Sequence, residues 1–266
     1  MAGAAIVVVT YRTSDLLARC VDDAHADAPD APIYVVDHES RMVAFDALLK
    51  PRRWIRPLDT AANPGFGAGA NRGIARAFAD GADHVLLLND DVFLRSGAVE
   101  RLVEAAGPDG AASPWLAGEG AAAYRGGAVD WERGFAGHRE GADDYLLGGC
   151  MCISRAAWER TGPFDESFFL YCEDVDWCLR ARAAGVPLAV LPEELADHVG
   201  GAAAGGATWA YWWSRNRIAL LRKHGRGRPW RTAARHTAAT ARGLVADRDP
   251  RIAWARLRGT ASGLRA

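Results

Sequence analysis

Long apolar runs are missing from this chain of 266 residues. A helix that crosses a bilayer needs about 20 apolar residues in a row, and a signal peptide a core of roughly 7–15. The first candidate, Ile6-Val7-Val8-Val9, gives way at once to Thr10-Tyr11-Arg12. The sequence therefore reads as cytosolic. Cysteine is scarce, and Cys20, Cys150, Cys152, Cys172 and Cys178 are odd in number without the paired spacing that gathers zinc. Buried, reduced thiols are expected, with neither a disulfide nor a zinc site. Internal repeats, nucleic-acid recognition motifs and an obvious covalent nucleophile are also absent, so no nucleic-acid partner is expected.

What the chain does contain is apolar content of 50%, enough for a large core. Its formal net charge of -1 conceals an asymmetry: from Arg222 onward there are 12 Lys and Arg against two Asp. Strand-like runs at 5–9, 33–36, 54–55 and 84–88 alternate with helix-like segments at 15–26, 44–49, 68–79 and 96–106. That order predicts an α/β fold with a parallel sheet, whose ligands sit at the C-terminal strand ends. A Gly-rich, weakly periodic stretch follows at 118–141. A strand is expected at 145–154, a helix at 174–184 closed by Gly185 and Pro187, and a short strand at 188–191. From about residue 208 the chain reads as helical, in segments divided near Pro229 and Pro250.

Three clusters point to chemistry. Leu86-Leu87-Leu88-Asn89-Asp90-Asp91 is a strand that stops on two adjacent acids, and carboxylate oxygens at a strand end suit a hard cation such as Mg2+ or Mn2+. Asn63-Pro64-Gly65-Phe66-Gly67-Ala68-Gly69-Ala70-Asn71 has the spacing of a dinucleotide fingerprint. It does not follow a strand directly, and the first strand ends with no glycine turn, so the Rossmann reading is rejected. A Gly-rich loop opening a helix remains, with backbone able to approach a ligand closely. The third cluster, Phe168-Phe169-Leu170-Tyr171-Cys172-Glu173-Asp174-Val175-Asp176, sets acids behind an aromatic run. Asp176 and Arg180 form an i,i+4 pair, whereas Glu173 and Asp174 are adjacent like charges at the rim of an apolar pocket. Such a setting raises a carboxyl pKa toward that of a general base. His198, read alone, is as ordinary as any surface histidine.

Together these segments resemble glycosyltransferase family 2, in its rhamnosyltransferase-like branch. The resemblance rests on Val8-Val9-Thr10-Tyr11, Val35-Val36-Asp37, Asn63-Pro64-Gly65-Phe66-Gly67, Leu88-Asn89-Asp90-Asp91-Val92, Gly148-Gly149, Gly162-Pro163-Phe164-Asp165-Glu166 and Tyr171-Cys172-Glu173-Asp174-Val175-Asp176, in family order. It implies the GT-A fold: a Rossmann-like nucleotide-binding sheet (about 1–115) merged with an acceptor half (about 116–207), with basic C-terminal helices over 208–266. It also implies roles. Asp37 would bind the nucleobase, Thr10 and Tyr11 would line its pocket, and Gly67 and Asn71 would pack around the nucleotide with Asn89 and Asp90. Asp91 and His198 would hold a divalent cation, Mn2+ or Mg2+. Asp174 would be the catalytic base with Glu173 beside it, and Gly148, Gly149 and Trp177 would face the acceptor. Two positions depart from the family pattern: Asn89 stands where many relatives have Asp, and His38 where an Asn usually follows the base-binding Asp.

The activity implied is inverting transfer of a sugar from a dTDP- or UDP-sugar to a hydroxyl of a lipid-linked glycan or a natural product. A nucleotidyltransferase and a non-catalytic nucleotide-sugar-binding protein stay open beside it. A nucleotidyltransferase would need more triphosphate-clamping cations near the first strand than Arg12. The basic tail, with Trp209, Trp212, Trp213 and Trp230, suits either an anionic membrane surface or a packing or homodimer contact.

Overall fold

The computed structural model describes residues 3–12, 16–38, 42–60, 62–118, 126–138, 144–199, 206–247 and 249–266. Its first half alternates as the sequence predicts. Strands β1 (Ala4–Tyr11), β2 (Ile33–His38), β3 (Ile55–Thr60) and β4 (His84–Asn89) are separated by helices α1 (Leu17–Asp27), α2 (Met42–Leu49) and α3 (Phe66–Ala79). The remaining elements are β5 (Val92–Leu94), α4 (Ala98–Ala106), β6 (Ala111–Gly118), β7 (Gly127–Asp130), β8 (Phe135–His138), β9 (Cys150–Ser154), α5 (Arg155–Thr161), α6 (Glu173–Ala183), β10 (Leu188–His198), α7 (Ala207–Lys223), α8 (Pro229–Asp247) and α9 (Pro250–Gly263).

The main sheet has the order β3-β2-β1-β4-β9-β6-β10-β5. β3, β2, β1 and β4 are parallel, and β9 runs antiparallel to both β4 and β6. β1 is apolar at every position from 4 to 9 because both faces of the sheet are covered. Ile6 and Val8 join one apolar layer with Leu17, Val21 and Leu102, while Val7 and Val9 join the other with Ile74, Phe78 and Trp177. Each such side chain, fully buried, contributes about 1.5–3 kcal/mol.

Two expectations change at the strands. The strand expected over 145–154 begins only at Cys150, with an isolated bridge from Tyr145 to Gly127 before it. The strand expected at 188–191 runs on to His198, because register shifts around Glu194 let it pass Pro192 and two acids without leaving the sheet. That extension matters, since its antiparallel pairing with β5 sets His198 opposite Val92. All five cysteines are buried free thiols. Among the described residues no helix is long and apolar enough to cross a membrane.

The C-terminal helices are bound to the body. On α9, Gly259 and Gly263 lie against the backbone carbonyls of Tyr211 and Arg215 on α7, where a methyl group would collide. Small residues four apart let the two helix backbones approach closely. Arg222 donates to the carbonyls of Leu264 and Ala266 at the chain's end.

Candidate active site

Parallel register brings the strand ends together. Thr10 pairs with Asp37, and Val9 with Asn89. Thr10 Oγ1 donates to Asp90 Oδ2 at 2.5 Å, which ties the end of β1 to the acids beyond β4. Asp37 is fully buried, and its carbonyl accepts from Thr60 Oγ1 at 3.1 Å. Tyr11 remains 46% exposed, with the Arg12 guanidinium over its ring.

Asp91 is buried, and its Oδ2 lies 3.3 Å from His198 Nε2. Its other carboxylate oxygen, Oδ1, is buried with no hydrogen-bond partner. An orphaned carboxylate oxygen beside an imidazole is a two-donor set of the kind that suits a divalent cation completed by phosphate and water. Among the described residues no group of three or more His, Cys, Asp and Glu is gathered for a metal.

Asp174 and Glu173 open α6. Asp174 Oδ2 accepts from the backbone N–H of Gly148 at 3.0 Å, and Oδ1 from that of Val175 at 2.8 Å. The approach needs a glycine, because a Cβ at 148 would lie 2.8 Å from the Asp174 Cβ. The next residue, Gly149, faces Asn89, and a Cβ there would lie 3.1 Å from the Asn89 side-chain nitrogen. Its carbonyl accepts from the Asn89 N–H at 2.9 Å. Two consecutive glycines therefore touch the acid-bearing end of β4 on one side and Asp174 on the other. Glu173 is buried against Gly67, and one of its oxygens has no partner. Burial, and then the neighbouring charge of Asp174, push its pKa up to about 8. At neutral pH Glu173 carries a proton.

The chain leading into this pair is strained. Phe169, Tyr171 and Cys172 have φ of 47°, 69° and 71°, left-handed values that cost non-glycine residues of order 1–3 kcal/mol each. Glu173 and Asp174 were expected at the rim of an apolar pocket behind this aromatic run; Phe168 is wholly buried, and Phe169 stacks on Trp212 with ring centroids 4.6 Å apart. Asp176 is also buried. Burial alone would raise its pKa, but hydrogen bonds from His224, Lys223 and Arg180 outweigh that and hold it below the ordinary value. The pair with Arg180 was legible in the sequence. Lys223 and His224 were not, because they arrive from the far end of α7.

Two expected site residues sit differently. Trp177, expected to face the acceptor, is fully buried among Trp158 and Phe164, and its indole N–H is spent on the Gly162 carbonyl at 2.9 Å. It anchors α6 in the core. Asn71 uses its side chain to join α3 to the segment before α6: it donates to the Phe164 carbonyl and to Glu166, and accepts from the Phe164 N–H. Asn216, which the sequence reading passed over, is buried on α7 and donates to three carbonyls of the strained segment.

A sheet of this order with acids at its strand ends is the architecture of the GT-A fold glycosyltransferases. Among solved structures, GalNAc-T7 with UDP, GalNAc and Mn2+ aligns with a TM-score of 0.67 at 15% identity, covering 83% of this chain and 47% of that one. TarS 1–349 of S. aureus in complex with UDP-GlcNAc aligns at 0.61 and 12% identity, covering 82% of this chain and 66% of that one. This chain thus spans about half of the first and about two thirds of the second. The profile described as glycosyltransferase like family 2 matches residues 2–219, and the chain belongs to that family. Over 218 residues it is 30% identical to N-acetylglucosaminyl-diphospho-decaprenol L-rhamnosyltransferase of Mycobacterium tuberculosis, covering 68% of this chain and 70% of the relative. A shorter match, 40% over 55 residues and 21% of each chain, is to rhamnosyltransferase WbbL of Escherichia coli.

Proposed function

We propose that this glycosyltransferase is a metal-dependent, inverting enzyme that moves a sugar, rhamnose in the first instance, from a nucleotide diphosphate to an acceptor hydroxyl. The observation that carries the reading is the Gly148-Gly149 junction, which couples the acidic strand end to Asp174 through two adjacent residues. A donor held by Asp37, Thr10, Tyr11, Asn89 and Asp90 would then lie within reach of a base. Asp174 takes the proton from the acceptor hydroxyl as its oxygen attacks the anomeric carbon, and the bond to the nucleotide diphosphate breaks on the opposite face. One displacement inverts the configuration and needs no covalent intermediate. Asp91 and His198 would hold the divalent cation, Mn2+ or Mg2+, whose chemistry is to neutralise the diphosphate that leaves. Rhamnose and a lipid-linked acceptor are supported by the names of the relatives, and uridine or thymidine by the buried carboxylate at Asp37, which can accept an imide N–H.

The test is nucleoside diphosphate release from a panel of sugar nucleotides that includes dTDP-rhamnose and UDP-GlcNAc, with Mn2+ or Mg2+. Release from one or two donors is expected. Pyrophosphate release from nucleoside triphosphates would make the chain a nucleotidyltransferase, and binding without release from any donor a non-catalytic binder.

A membrane-bound acceptor calls for a surface that meets the bilayer, and α8 and α9 offer one. Arg231, Arg235 and Arg242 follow spacings of four and seven residues along α8, with Arg228 just before its start; Arg251, Trp254 and Arg258 follow spacings of three and four along α9, with Arg265 just past its end. The helical members of each set keep to one face, and all eight residues are exposed. Trp230 and Trp254, 62% and 63% exposed, add amphipathic rings. Trp212, Trp213, Arg222 and Lys223 are engaged by the protein itself, and Arg235 also donates to the Glu132 carbonyl, so the contact is narrower than the charge count implies. Each arginine is worth on the order of 1 kcal/mol near an anionic bilayer, screened by salt. The chain should co-sediment with phosphatidylglycerol vesicles at low salt and less so at high salt. Arg251→Glu with Arg258→Glu should weaken binding at least about tenfold. A chain that stays in the supernatant throughout would leave the stripes to packing or a homodimer.

A further inference from the structure

We infer that Asn216 is a positioning residue for the catalytic base, so that the C-terminal helix α7 is part of the active site; this rests on reading Asp174 as that base. The five residues before Glu173 contain three left-handed backbones, none of them glycine. In that conformation the carbonyls of Phe168, Leu170 and Tyr171 converge on one point. The Asn216 Nδ2 occupies it, at 2.6, 2.8 and 2.9 Å. An amide nitrogen has no lone pair to repel them, and its two hydrogens can be shared among three acceptors. The Asn216 oxygen is turned the other way, accepting from Arg215 at 2.6 Å, while the same guanidinium nitrogen donates to the Ser167 carbonyl at 3.0 Å. On the opposite side the Phe66 N–H, at the head of the Gly-rich helix, donates to the Phe169 carbonyl at 2.7 Å. The segment is thus gripped from both sides. Its path fixes where α6 begins, and so where Asp174 stands.

Buried polar networks of this kind hold one conformation because each missing bond leaves a desolvated carbonyl. Without the Asn216 amide, three carbonyls aimed at one point repel one another and the left-handed residues relax. Asp174 then loses its place opposite Gly148, while the strand ends that bind the nucleotide stay where the sheet puts them. The consequence is a loss of turnover without a loss of donor affinity.

Three variants test this: Asn216→Ala, Asn216→Asp, which keeps the shape and removes the donor, and Ile218→Ala, which truncates a buried side chain on the same helix facing α9. They are compared by dTDP release from dTDP-rhamnose, dTDP affinity by calorimetry, and amide hydrogen exchange over residues 169–176, with Asp174→Asn run in parallel. Both Asn216 variants should lose tenfold or more in kcat with KM and dTDP affinity within about twofold, and their amides 169–176 should exchange faster. Ile218→Ala should lower the melting temperature and keep kcat within about twofold. An Asn216 variant with wild-type kcat, or with unchanged exchange over 169–176, overturns the inference while leaving Asp174 as the base. Full turnover in Asp174→Asn overturns the base itself, and the inference with it. Exchange needs no turnover, so it judges the clamp even if another sugar nucleotide is the true donor.

Discussion

Asp174→Asn is expected to lower kcat by about a hundredfold to ten-thousandfold, the usual cost of losing a general base, with dTDP and UDP affinity within a few-fold of wild type. The substitution is nearly isosteric. One of the two backbone donors on the carboxylate, Gly148 N–H or Val175 N–H, would face an NH2 group, so a modest loss of melting temperature should accompany the catalytic one. Turnover and calorimetry together make the check, and unchanged kcat would move the base elsewhere. The neighbouring acid adds a pH signature. The fold raises the Glu173 pKa to about 8 from an ordinary 4.5, so between those values the unfolded chain binds fewer protons than the native one. Stability should therefore fall as pH rises from about 4.5 toward 8, and Glu173→Gln, which mimics the protonated form, should flatten that decline.

The second large effect is expected at Asp91. Its oxygen Oδ1 is buried without a partner and Oδ2 faces His198, an arrangement that leaves one carboxylate oxygen for an incoming cation. Asp91→Asn keeps the size and the contact with His198 but removes the charge. If the cation supplies several kcal/mol of stabilisation to the departing diphosphate, activity in saturating Mg2+ should drop at least about a hundredfold. Excess Mn2+ should restore part of it. Titration of Mn2+ in the presence of UDP gives a second readout, in which the variant should bind the metal more weakly. Wild-type turnover at all metal concentrations would take Asp91 out of the metal site.

The strand ends could be located from the sequence because a parallel sheet covered on both faces writes itself as uninterrupted apolar runs, as in Val7-Val8-Val9 and Leu86-Leu87-Leu88, and whatever follows such a run lies at the ligand edge. Glu173 and Asp174 were legible for a different reason: adjacent acids behind four bulky apolar residues have no simple role in packing. Trp177 was misplaced because residue type does not reveal which side of a helix faces the core, and on α6 that side is settled by Trp158 and Phe164. The reach of β10 to His198 was hidden by Pro192 and two acids, which interrupt the apolar pattern but not the pairing. Asn216, Lys223 and His224 left no local trace at all. Their partners lie some 45–58 residues away along the chain, and a polar residue on a helix looks alike whether it meets water or three carbonyls.

The pair Gly259 and Gly263 carries a consequence for how the chain tolerates change. These residues lie on α9, far along the sequence from Glu173 and Asp174. Here the helix they belong to is seated on the carbonyls of Tyr211 and Arg215, and Arg215 adjoins Asn216. Adding one methyl group at either glycine would push α9 off α7 and act as a wedge behind Asn216 and the segment it holds. Substitutions at Gly259 or Gly263 are therefore expected to lower turnover from a helix that carries none of the candidate site residues.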